Sequence, residues 1–206
     1  TTAYVLRASE SVKMRSDRFV ARFNFKVARY ELLPYLGNNR VEFARVDSVV
    51  QTILRNSDVR VKNVTIDGYA SPEGTDAGNL KLSQNRAQAF VDYLRLTYGL
   101  STRIFAVRGH GSDWAGLRQR VEHDPQVPNL NGVLEVLYQD GNNEARKAAL
   151  RKLDVGASYA YLLDTHYPPL RRTEYQFTYA VRAFNLQEAI ERIHTNPALL
   201  SLNEMY

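Results

Sequence analysis

Apolar and polar residues alternate over residues 18–27, RFVARFNFKV, with Phe19, Ala21, Phe23, Phe25 and Val27 on one side and Val20, Arg22, Asn24 and Lys26 on the other. Period two over this length predicts a half-buried strand. A turn at Gly37-Asn38-Asn39 follows, with Asn39 as the expected N-cap. Phe43, Val46, Val49, Val50, Ile53 and Leu54 then recur at helical spacing as far as Arg55. Val59, Val61, Val64 and Ile66 read as a second strand stopping at Gly68, and the slip between Val61 and Val64 predicts a bulge. The next helix carries Ala87, Phe90, Val91, Leu94 and Tyr98 on one face, with Gln84, Gln88, Asp92 and Arg95 opposite. Its start is expected at Ser83, because Gly78 disfavours an unbroken helix from Thr75, and its end at Gly99. A third strand over 104–107 leads to Gly109-His110-Gly111, and a short helix over 114–121 comes after it.

The pattern changes at 122–170. Pro125, Pro128 and Asn131-Gly132 punctuate it, 133–138, 145–153 and 159–163 read as short helical pieces, and Pro168-Pro169 close it. Residues 174–183, EYQFTYAVRA, alternate again as a fourth strand, and a final helix is expected near 186–193. The order β-α-β-α-β-α-insertion-β predicts a two-layer α+β sandwich with helices on one face of a small sheet. The domain is expected to span 1–185, with 186–206 a helical segment cut short before a further region. The start at Thr1-Thr2-Ala3 suits a processed precursor and a cut piece equally well.

The 206 residues, 44% hydrophobic and 11% aromatic, are enough to bury a sizeable core and unlike a disordered chain. A net charge of +5 is a mild basic excess that favours anionic partners in general. The basic clusters Arg146-Lys147, Arg151-Lys152 and Arg171-Arg172 read as a solvated helix face and a strand entrance. No nucleic-acid-binding pattern accompanies them. The chain has no cysteine, so disulfides, thiol catalysis and cysteine zinc sites are excluded. No apolar stretch is long enough to span a membrane. The histidines at 110, 123, 166 and 194 lack metal-ligand spacing, and no Gly-x-Ser-x-Gly elbow occurs, so neither a metal nor a cofactor nor catalysis is expected. His110 is read as a turn residue, and Trp114 as core packing ahead of a sugar-stacking platform.

The segment with most chemistry is 68–98, GYASPEGTDAGNLKLSQNRAQAFVDYLRLTY. A glycine-rich polar loop between a strand and a helix gathers free backbone N–H groups, and a guanidinium at Arg86 would add a planar fork of donors suited to a carboxylate. From the residues alone, an internal pairing of Arg86 with Glu73 or Asp76 stands level with ligand binding.

The spacing of Gly68, Gly74, Asn79, Leu82, Ser83, Arg86 and Ala87 resembles the C-terminal domain of outer-membrane protein A and of peptidoglycan-associated lipoprotein. The resemblance runs over about 19–107 and resumes from Arg171-Arg172 through the closing strand. It implies a mixed four-stranded sheet and a periplasmic, non-catalytic domain tied to the outer membrane. Such a domain binds the diaminopimelate-containing peptide of peptidoglycan. Arg86 aligns with the arginine that holds a diaminopimelate carboxylate, and Asn79 is expected to hold the loop. Ser71 stands where that family usually has Asp, so the ligand's ammonium lacks its usual partner unless Glu73 or Asp76 is turned inward. A module that has lost wall binding, using 122–170 to meet an envelope or fimbrial protein, is the alternative.

Overall fold

A computed structural model describes residues 12–26 and 29–182. Four strands, β1 (Val12–Ala21), β2 (Val59–Ala70), β3 (Phe105–Ser112) and β4 (Thr173–Arg182), form one sheet in the order β1-β4-β2-β3. The sheet is mixed: β4 runs antiparallel to β1 and β2, whereas β2 and β3 are parallel. A parallel neighbour demands a crossover, and α2 (Asp76–Tyr98) supplies it.

Helix α1 (Asn39–Arg55) and α2 cover one face of the sheet. Phe43, Val46 and Val50 of α1 and Ala87, Phe90, Val91 and Leu94 of α2 meet Val64 and Ile66 of β2 and Tyr175 and Phe177 of β4 in the main core. The opposite face is polar. Ser16 pairs with Thr178, Arg18 bonds Glu174 and Gln176, and buried Asp67 is held by Arg108 and His110. This is the inside–outside alternation of a sheet covered on one face.

Several boundaries differ from the sequence reading. The first strand lies earlier, at Val12–Ala21, because its ladder with β4 ends at Ala21 opposite Thr173. The alternation nonetheless continues beyond it, with Phe23 buried and Arg22 and Asn24 exposed. Asn39 is the first helical residue rather than the cap. Its buried side chain accepts from Asn24 N at 2.7 Å and donates to the carbonyls of Asn24 and Leu33, tying the segment after β1 to α1. β2 also runs past Gly68 to Ala70, and β3 extends through Gly109-His110-Gly111, so His110 is a strand residue stacked on Tyr69. The expected bulge is present, as a register shift between Val61 and Asn63.

Between β3 and β4 come α3 (Trp114–Glu122), α4 (Leu130–Tyr138), α5 (Asn143–Lys152) and α6 (Ala157–Tyr161). Their apolar residues, among them Leu117, Val121, Val133, Leu150, Leu162 and Tyr167, build a second core of their own. Trp114 is half-buried against that cluster, with the Arg146 guanidinium over its ring. The helix expected near 186–193 lies outside the described residues.

Candidate functional site

The 71–75 loop leaves the C-terminal end of β2 and caps α2. Thr75, not Ser83, is the N-cap: its side chain accepts from Gly78 N at 3.1 Å. The usual glycine penalty belongs to a helix interior. At the third position of α2, Gly78 has its amide held by the cap instead. Arg86 is therefore a mid-helix residue, well beyond the first turn, and the helix dipole does not act on it. Ser83 is buried inside the helix, where its hydroxyl donates to Leu80 O and accepts from Gly111 N, fastening α2 to β3.

Two glycines let α2 lie directly on the sheet. A Cβ at Gly68 would press on the Ser83 carbonyl and stand 3.1 Å from the Ala87 methyl, and one at Gly109 would lie 2.6 Å from Gln84 N. This close approach carries Arg86, one position before Ala87, to the edge of the loop.

There it borders a cleft of ≈ 730 Å³ lined by Ser71, Glu73, Asn79 and Arg86 together with Phe25, Tyr30 and Arg171. Arg86 is only 7% exposed. Its Nε donates to Arg29 O at 3.3 Å and its guanidinium lies 4.5 Å from the Phe25 ring centre, but no carboxylate pairs with it among the described residues. Burial, and after it the like charge of Arg171, pull Arg86 down to about 10, so it stays charged at neutral pH.

The opposite wall is a linked set. Ser71 Oγ donates to Glu73 at 2.6 Å and accepts from Arg171 Nε at 3.1 Å, while Arg171 Nη2 reaches the same Glu73 oxygen at 2.7 Å. Asn79 Nδ2 donates to Ser71 O and to Ser112 Oγ, which holds the loop to β3. Lys147 of α5 donates to Gly74 O at 2.7 Å, so the insertion braces the loop from outside. Asp76 is turned away from the cleft: it accepts from Asn143 of α5 at 2.7 Å and from Ser112. Of the five expected site residues, the fold thus gathers four and directs Asp76 to the insertion.

Arg171 is the site residue that sequence reasoning missed. Antiparallel pairing sets Gly68 opposite Thr173, and Tyr69 N bonds Arg172 O at 2.9 Å. The residues just before β4 must then lie beside those just after β2. The adjacent arginines were visible in the sequence; the neighbouring of β4 and β2 was not.

Burial tends to raise the Glu73 carboxyl, but the hydrogen bonds from Ser71 and Arg171 and the charges of Arg171 and Arg86 hold it below the usual carboxylate value. A carboxyl lowered by folding stabilises the fold fully above its unfolded pKa of about 4.5, and that contribution disappears as pH falls through the lower folded value. Urea unfolding of the native domain is therefore expected to lose more stability on acidification below about pH 5 than that of Glu73→Gln, which has nothing to titrate there. Equal slopes in the two proteins would contradict this arrangement.

A second groove of ≈ 760 Å³ lies between α1 and the far ends of β1, β2 and β4. Its charges are mixed, Arg15 and Arg55 with Asp17 and Asp58, and none of the loop residues reaches it. Among the described residues no group of acidic or histidine side chains could hold a metal ion, and no helix is long and apolar enough to cross a membrane.

Residues 42–122 match the family model described as OmpA family, which bears out the resemblance read from the loop and α2. Over 60 residues the chain is 40% identical to "Outer membrane protein A" of Serratia odorifera; the match covers 29% of this chain and 24%, about a quarter, of that protein. Among solved structures, the peptidoglycan-associated lipoprotein from Burkholderia pseudomallei is similar at 16% identity and a TM-score of 0.37, over 78% of this chain and 88% of that one. The OmpA-like domain of FopA1 from Francisella tularensis is similar at 17% identity and a TM-score of 0.38, over 84% and 78%.

Proposed function

We propose that this domain binds the diaminopimelate-containing peptide of peptidoglycan without making or breaking a bond, and so anchors an envelope protein to the wall from the periplasmic side. The observation that carries the reading is Arg86: a buried guanidinium with no carboxylate partner among the described residues, bordering an open cleft. A desolvated charge without a counter-ion is costly, and a ligand carboxylate bound in bidentate fashion would remove that cost. Glu73, held by Ser71 and Arg171 on the opposite wall, offers the anion that a ligand ammonium needs and that Ser71 itself cannot supply. Glu73 pairs with Arg171 rather than with Arg86, which leaves the cleft unfilled. The peptidoglycan association printed in the name of the Burkholderia lipoprotein agrees with this reading.

The alternative, a partner surface on 122–170, draws less support. The apolar residues there turn into the insertion's own core, leaving Tyr138 and Val155 as its large exposed apolar side chains among the described residues. Calorimetric titration with meso-diaminopimelate and with a wall tripeptide tests the proposal. Saturable binding is expected, and a well-folded domain that binds neither up to millimolar concentration would refute it.

A further inference from the structure

Adjoining the main cleft through shared lining residues is a smaller space of ≈ 290 Å³. The two spaces share Phe25, Arg86 and Arg171. The chamber adds Arg22 from the segment after β1 and is bounded by Pro168 and Pro169 at the end of the insertion. No acidic residue lines it, in contrast to the main cleft with Glu73. The Arg22 side chain makes no ion pair among the described residues; only its backbone N is engaged, donating to Glu42 at 3.1 Å. Three arginines thus line one small space, and the like charge of Arg171 adds to burial in depressing Arg86.

We infer that this chamber is a second anion subsite, which takes a second carboxylate of the same peptide ligand. The inference rests on the wall-peptide reading and deepens it: the terminal diamino acid of a wall tripeptide carries one carboxylate beside a free ammonium and another at its opposite end. The first pair fits Arg86 and Glu73 in the main cleft. The second carboxylate enters between Arg22 and Arg171, where planar donor forks suit its geometry and its size. Because Pro168, Pro169 and Arg171 form one wall, the insertion helps to build this subsite and thereby selects ligands with both carboxylates free.

The test is a calorimetric double-mutant cycle. Native domain and Arg22→Gln are each titrated with a tripeptide whose terminal diaminopimelate has both carboxylates free, and with the analogue amidated at the carboxylate remote from the free ammonium. Arg22 is exposed, so the substitution leaves the fold intact, which circular dichroism checks. The native domain is expected to prefer the dicarboxylate by roughly 5-fold, the size of one partly exposed charge pair. Arg22→Gln is expected to lose that preference while binding the amidated peptide as the native domain does. Equal native binding of both peptides, or the same loss for both in the variant, overturns the second subsite and leaves the wall-peptide reading standing. Failure of the native domain to bind either peptide overturns the reading beneath it as well.

Discussion

Replacing Arg86 with Ala is expected to weaken wall-peptide binding by roughly 10- to 150-fold, the equivalent of one lost charge-assisted hydrogen-bonded pair of about 1.5–3 kcal/mol. The expectation follows from where Arg86 sits. The side chain is buried, and the partners found for its guanidinium within the fold are the Arg29 carbonyl and the Phe25 ring face. A group held in place and left without a counter-ion has already met the ordering cost of binding, and its loss falls on affinity. Folding should change much less: the variant loses packing on Phe25 but also loses the repulsion from Arg171. Arg86→Lys should recover only part of the affinity, since an ammonium offers a point charge in place of a planar fork. Calorimetry on the three proteins, with thermal unfolding followed alongside, measures both quantities. Native-like affinity in Arg86→Ala would remove the arginine from the recognition mechanism.

What the sequence made legible divides along physical lines. Periodicity identified α1, β2, β4 and the apolar face of α2, because burial on one side of an element leaves its imprint residue by residue. It misplaced β1 for an equally physical reason: alternation reports burial, which continues to Phe25, whereas the ladder ends at Ala21. α2 starts earlier than its apolar pattern predicts, because Gly78 belongs to the Thr75 cap and not to a helix interior. Ser71, Glu73, Asn79 and Arg86 come from one continuous stretch, and a local motif could bring them together. Arg171 and Arg22 come from the ends of other strands, and only the order β1-β4-β2-β3 delivers them. Asp76 shows the reverse limit. It sits three residues from Glu73 in the same loop-to-helix stretch, yet an asparagine of the insertion, Asn143, takes it out of the cleft.

The largest loss of stability is expected from Gly68→Ala, at about 3 kcal/mol, the upper part of the usual range for overpacking. The methyl would meet the Ser83 carbonyl and lie 3.1 Å from the Ala87 methyl, and backbone has no rotamer by which to give way. Relief requires α2 to lift from β2, which would strain the Gly111 N to Ser83 Oγ bond and the contacts of Phe90 and Leu94 in the main core. Gly99→Ala makes the right contrast. Nothing lies within 4 Å of a Cβ there, but φ is +66°, so the cost is the left-handed backbone alone, about 1–2 kcal/mol. Urea unfolding should order the proteins native, Gly99→Ala, Gly68→Ala. The two variants should also part in binding: Gly99 ends α2 far from the cleft, whereas a shift of α2 at Gly68 displaces Arg86 relative to the Glu73–Arg171 wall. Gly68→Ala is therefore expected to lose affinity even under conditions where it remains folded, and Gly99→Ala to keep it. A Gly68→Ala domain as stable as Gly99→Ala and binding as tightly would mean that α2 does not rest on the strand at this point, and the close approach that positions Arg86 would have to be abandoned.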